Sequence, residues 1–113
     1  MHEMALCLGM IDLIREQQTS HGFTRVRRVV VEIGALGHVD PHALAFAFEA
    51  GARDSPAADA ALEIREVPGR AWCMDCSESV TIGRRGDACP NCGGYTMIVE
   101  QGEEMRLKEL EVL

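Results

Sequence analysis

Four of the five cysteines stand as two close pairs, Cys73-Met74-Asp75-Cys76 and Cys89-Pro90-Asn91-Cys92, with twelve residues between the pairs. Two Cys-x-x-Cys turns bring four thiolates to the corners of a tetrahedron, which suits Zn²⁺ with Zn–S bonds of about 2.3 Å. Backbone N–H groups within each short spacer spread the sulfur charge. Pro90 stiffens the second turn, and Gly93 directly after Cys92 permits a sharp reversal. Mononuclear iron uses the same four sulfurs, and Cys-Pro-x-Cys-Gly is half of a rubredoxin pattern, but Ser77 follows Cys76 and the intervening loop is short. A thioredoxin-like redox pair has one Cys-x-x-Cys opening a helix after a strand, not two facing each other. With four sulfur ligands and no open position, zinc here holds structure and performs no chemistry.

A second pattern stands at the amino terminus, Met1-His2-Glu3. The Met1 amine, the amide nitrogen of His2 and its imidazole Nδ1 close adjacent five- and six-membered chelate rings. Such a planar nitrogen set favours square-planar Ni²⁺ or Cu²⁺. Glu3 offers an amide nitrogen or a carboxylate oxygen as the fourth donor. The bland alternative is an exposed terminal histidine. His21 falls at a helix end, and His38 and His42 flank Asp40, where solvated polar residues are the default. Cys7 stands alone and reads as a small buried apolar side chain.

The elements that must position these groups follow from periodicity. Residues 4 to about 19 carry Leu6, Met10, Leu13 and Ile14 at three- and four-residue steps, and Gly22 stops that helix. Arg25 to Ile33 is β-branched, with Val29, Val31 and Ile33 on one face and Arg28, Val30 and Glu32 on the other. Gly34 and Gly37 bracket a turn. Asp40-Pro41 supplies an N-cap and a first-turn proline, opening a second helix to about Arg53 with Leu44, Ala47, Phe48 and Gly51 on one stripe. Asp54 to Ala60 is a small-residue loop, and Leu62 to Val67 alternates as a strand. Pro68-Gly69 marks a domain boundary. Residues 70 to about 95 hold both cysteine pairs, several glycines and little to pack, so this piece cannot fold on hydrophobic burial alone. Met97 to Glu100 and Met105 to Val112 read as strands, the last rejoining the first sheet.

The 113 residues are 47% apolar and 26% charged, a globular composition, and only 4% aromatic, so the core is built from Val, Leu, Ile, Ala and Met. Eighteen acidic against eleven basic residues give −7, which argues against phosphate-backbone binding. No apolar run reaches the roughly 20 residues that span a bilayer, and the start lacks the basic region of a signal peptide. The expectation is a cytoplasmic protein. No nucleophile–base pairing or phosphate loop is visible, so the chain reads as a non-enzyme.

Met1-His2-Glu3, the strand Val29-Val30-Val31-Glu32-Ile33-Gly34, Asp40, Phe46-x-Phe48-Glu49, the four paired cysteines and the closing Met105-Arg106-Leu107 stand in an order seen in one group. The chain resembles the HypA/HybF family, nickel-insertion accessory proteins of nickel–iron hydrogenase maturation, over essentially its whole length. The resemblance implies an α/β (α+β) fold: a small mixed sheet with two helices on it and an inserted four-cysteine zinc-ribbon domain. Residues 1–69 would form the nickel-binding α/β domain, completed by strand 103–113, and residues 70–102 the ribbon. It implies His2 as nickel ligand, Glu3 beside it and Asp40 as an acidic position near the nickel end, with zinc on Cys73, Cys76, Cys89 and Cys92. Many members carry histidine directly after the last cysteine, where this chain has Gly93. The implied partners are a nickel-loading GTPase of the HypB family and the hydrogenase large subunit, with no nucleic acid and no membrane.

The sequence thus points to a metallochaperone with Ni²⁺ as transient cargo and structural Zn²⁺. Its rivals are a zinc-ribbon protein–protein adaptor without metal delivery and a nucleic-acid-binding ribbon. The last would need a basic ribbon face, yet residues 70–99 balance Arg70, Arg84 and Arg85 against Asp75, Glu78 and Asp87.

Overall fold

A computed structural model describes residues 2–113. In chain order the elements are α1 (Glu3–His21), β1 (Val26–Gly34), α2 (Pro41–Gly51), β2 (Ala61–Val67), β3 (Gly69–Cys73), β4 (Glu78–Ile82), β5 (Met97–Gln101) and β6 (Met105–Val112). The strands form two three-stranded sheets, ordered β2-β1-β6 and β4-β3-β5. Chain contacts divide into two units: residues 1–31, 39–64 and 107–113, and residues 32–38 and 65–106.

In the first unit, α1 ends where Gly22 turns left-handed at φ 72° and its N–H reaches back to the Gln18 carbonyl, a backbone state that favours glycine. Asp40 caps α2 as its residue type predicts, its Oδ1 accepting from the backbone N–H groups of His42 at 2.9 Å and Ala43 at 3.3 Å. The two helices pack along the stripe that contains Leu44 and Phe48. The Cys7 thiol donates to the Leu44 carbonyl at 3.5 Å. Buried Val29, Val30 and Val31 of β1 and Met10, Ile11 and Ile14 of α1 supply most of the remaining core.

Backbone bonds give the strand directions. Leu113 N–H donates to the Arg25 carbonyl while Gly34 N–H donates to Glu104, so β6 runs antiparallel to β1. Val26 N–H donates to Pro56 and Ala35 N–H to Val67, so β2 runs parallel to β1 with α2 as the crossover. The sheet is mixed, as expected. On its surface Arg28 of β1 donates to Glu63 of β2 and to Glu111 of β6, and Arg27 also reaches Glu111.

The second unit departs from the sequence reading, which gave residues 70–95 no strands. β3 pairs antiparallel with β4 and with β5, with a bulge between Arg70 and Ala71 on the β5 side. Ala71, Cys73, Val80, Ile82 and Cys89 form its buried cluster together with Leu36. Leu36, which the sequence places in a mere glycine-bracketed turn, is a core residue here. Three glycines let backbones cross beside it: a side chain on Gly34 would collide with the Gly102 carbonyl, one on Gly69 with Leu36, and one on Gly102 with Gly69.

Candidate metal centres

The two Cys-x-x-Cys turns share one geometry. Ser77 N–H closes the first onto the Cys73 carbonyl at 2.8 Å, and Gly93 N–H closes the second onto Cys89 at 2.8 Å. Each closing residue is left-handed, Ser77 at φ 56° and Gly93 at φ 77°. Glycine reaches that state at no steric cost, which explains Gly93, whereas serine at the matching position bears some strain. The β3–β4 turn presents Cys73 and Cys76, and the loop before β5 presents Cys89 and Cys92.

The four Sγ atoms lie within 4.8 Å of one another. Cys73–Cys92 are 3.6 Å apart and Cys76–Cys89 3.8 Å. A tetrahedron with Zn–S bonds of about 2.3 Å has sulfur–sulfur edges of about 3.8 Å, so the quartet fits the ion. The same spacing is far beyond the roughly 2.05 Å of a disulfide, and all five cysteines are free thiols.

Two contacts around the sulfurs escaped the sequence reading. Asn91 Nδ2 donates to Cys76 Sγ at 3.5 Å, and Gly94 N–H to Cys92 Sγ at 3.4 Å. A side chain on Gly94 would strike the Asp75 carboxylate. Burial opposes ionisation of Cys89, yet the N–H groups of Cys92 and Asn91 bring it down to about 7. At Cys92 the Gly94 N–H favours the thiolate, but burial and the three other sulfurs push it up to about 12. The Cys89 thiolate is favoured while those of Cys76 and Cys92 are resisted, a balance that a divalent cation reverses.

At the amino terminus, His2 is exposed and occupies the N-cap of α1, where its side chain caps no N–H. Its carbonyl accepts the first helical bond, from Leu6 N–H at 3.0 Å. Its own amide lies ahead of that ladder, where helix geometry demands no partner. Glu3 is buried at 6% exposure, and Asp40 N–H donates to its Oε2 at 3.3 Å. The positive chain terminus, then the Asp40 N–H and its own N–H, hold the Glu3 carboxyl down at about 2. The structure thus brings Glu3 and Asp40 together at the convergent N-termini of both helices, whose dipoles favour a carboxylate. Met1 lies outside the described residues. Among those described, only the cysteine quartet groups three or more His, Cys, Asp or Glu ligand atoms around one point; His38, His42 and Asp40 form no such group. Cys7 is fully buried, and burial followed by the Glu3 charge raises its thiol to about 11.

An α/β unit and a second unit whose four cysteines are grouped to hold one metal ion describe a small metal-binding protein. The sequence pattern of the hydrogenase/urease nickel-incorporation metallochaperones, HypA, matches residues 1–112. The chain belongs to the HypA family. Hydrogenase maturation factor HypA of Rhodopseudomonas palustris strain TIE-1 is 56% identical over 112 residues, 99% of each chain. HypA of Azotobacter vinelandii is 52% identical over the same span, again 99% of each. The solution structure of the Ni metallochaperone HypA from Helicobacter pylori superposes with a TM-score of 0.73 at 32% identity, covering 100% of this chain and 98% of that one. The expected family and the expected fold class are those found. No helix among the described residues is long and apolar enough to cross a membrane.

Proposed function

We propose that this chain is a nickel carrier that binds Ni²⁺ through the Met1 amine and the amide and imidazole nitrogens of His2, and helps to insert it into the apo large subunit of nickel–iron hydrogenase. Whole-chain membership of a nickel metallochaperone family carries this reading, and the exposed His2 at the head of α1 supports it. A chelate on the His2 amide breaks no bond of the helical ladder, which begins at Leu6. A site at a chain terminus can be loaded and stripped at little cost in structure.

Glu3 supplies or positions a further donor; its engagement with the Asp40 N–H favours positioning. Asp40 contributes by holding Glu3 and by capping α2. Cys73, Cys76, Cys89 and Cys92 would hold Zn²⁺, which supplies folding free energy to the ribbon and no reaction. A nickel-loading GTPase of the HypB family works alongside, in the cytoplasm. The test is calorimetric nickel titration of protein beginning at an untagged Met1. Wild type should bind tightly, with affinity rising through neutrality as the amine, of reference pKa about 7.7–8.0, sheds its proton. His2→Ala should lose that binding while keeping its zinc. Undiminished binding in His2→Ala would move the site elsewhere, and no nickel binding in wild type would favour the adaptor reading.

A further inference from the structure

Two sulfur contacts run across the ribbon from one turn to the other. Cys73 Sγ lies 3.6 Å from Cys92 Sγ, and Cys76 Sγ lies 3.8 Å from Cys89 Sγ. Exposure separates the four. Cys73 and Cys89 are 0% and 2% exposed within the buried cluster, Cys76 is half-buried, and Cys92 is exposed. The approach to Cys92 is open as well, because a side chain built on neighbouring Gly93 would meet nothing within 4 Å. A small reagent therefore meets Cys92 Sγ first and finds buried Cys73 in contact behind it. An accessible sulfur with a second one held against it is the arrangement that a two-electron oxidant converts into a disulfide.

The chemistry closes on this chain's own sulfurs. The Cys92 thiolate attacks one oxygen of hydrogen peroxide; the O–O bond breaks, hydroxide leaves and Cys92 carries S–OH. The Cys73 thiolate then attacks Cys92 Sγ, forms the S–S bond and expels a second hydroxide. The two sulfurs lose two electrons, the peroxide gains them, and two solvent protons turn both hydroxides into water. From 3.6 Å the pair has to close by only about 1.5 Å to reach a disulfide of about 2.05 Å. The bond joins side chains, so the Ser77 and Gly93 backbone bonds that close the two turns can stay in place. A disulfide sulfur carries no negative charge, and the ribbon's hold on Zn²⁺ falls from four thiolates to two.

We propose that Cys92 is a peroxide-reactive modification site resolved by Cys73, and that its oxidation discharges zinc while a Cys73–Cys92 disulfide staples the ribbon. The inference rests on zinc occupying the quartet. Wild type without zinc as isolated would overturn that reading and the discharge with it, and the disulfide map would still decide the pairing. The experiment treats zinc-loaded full chain with one equivalent of hydrogen peroxide. Zinc is followed with a chromogenic chelator, and disulfides are mapped by mass spectrometry of proteolytic fragments. Expected are loss of zinc, a fragment pair joined through Cys73 and Cys92, unmodified Cys7, and renewed zinc binding after dithiothreitol. A dione that traps sulfenic acid should label Cys92, and Cys73→Ser, which lacks the resolving sulfur, should raise that label several-fold. The wild-type map stands whether or not Cys73→Ser folds. Oxidised protein should also keep more hydrogen-exchange protection in β3, β4 and β5 than reduced, chelated protein, because the new bond restrains the open chain; equal loss overturns the staple. Zinc retained through the oxidation, a bridge within one turn, a trap label on Cys76, or a dimer joined through Cys92 each overturn the proposal.

Discussion

Cys7 and the ribbon cysteines carry one chemical group in two environments. Cys7 is sealed against Leu44, and burial raises its thiol to about 11, whereas the quartet is drawn into mutual contact at the edge of a small cluster. After zinc chelation under reducing conditions, a thiol reagent should therefore label four cysteines quickly and the fifth only on denaturation; fast labelling of all five would show that α1 and α2 separate. At the chain start, an extra residue ahead of Met1 should weaken nickel binding without touching zinc, because it turns the amine into an amide and shifts the chelate rings; calorimetry on the extended and authentic forms compares them directly. The cysteine quartet was legible in the sequence because each pair is local and the spacing itself sets the sulfur geometry. The Glu3–Asp40 contact was not, since the two residues lie 37 apart and meet only through the packing of two helices. Leu36 was misread for a related reason: between two glycines a leucine looks like part of a turn, and its burial depends on β3 and β4 arriving from later in the chain.

Among the elements, α1, β1, α2, β2 and β6 were legible because long periodic stripes, a left-handed glycine stop and an Asp-Pro cap announce them. β3 and β4 escaped because each spans five residues and turns only two inward-facing apolar positions to its cluster, Ala71 and Cys73 against Val80 and Ile82. Two of the six buried members of that cluster are cysteines, which sequence reading assigned to metal alone. The cap of α2 gives a direct expectation. Asp40→Ala should cost about 0.5–2 kcal/mol in urea unfolding, and Asp40→Ser should recover most of it; equal nickel affinity in both would confine Asp40 to its structural role. The strand clamp gives another. Arg27 first and then Arg28 hold the Glu111 carboxyl below its ordinary 4.5, so its contribution is complete above about that pH and fades as pH falls through the depressed value. The melting-temperature gap between wild type and Glu111→Gln should therefore be present at neutrality and close on acidification. The gap itself should be small, because the pair is partly solvated.

At the scale of the molecule, zinc on the cysteine quartet, as proposed above, would divide the work of stability with the apolar cores. The second unit has a cluster of six buried side chains, too few to hold three short strands unaided. Stripping zinc should raise hydrogen exchange first in β3, β4 and β5 and alter the emission of Trp72, the single tryptophan, which adjoins Cys73. Residues of α1 and β1 should keep their protection, and simultaneous loss in both units would mean one cooperative structure. The place of β6 has a consequence for how the chain is made. Its neighbour in the sheet, β1, is complete by Gly34, yet β6 begins at Met105, after the whole of β3, β4 and β5. At roughly 5–20 residues per second of synthesis, the interval between β2 and β6 leaves one edge of a valine-rich strand unpaired on the ribosome for a few seconds. A nascent chain stalled before Met105 would thus offer a sticky sheet edge to chaperones and to other nascent chains, and the ribbon, by its position in the message, sets how long that exposure lasts.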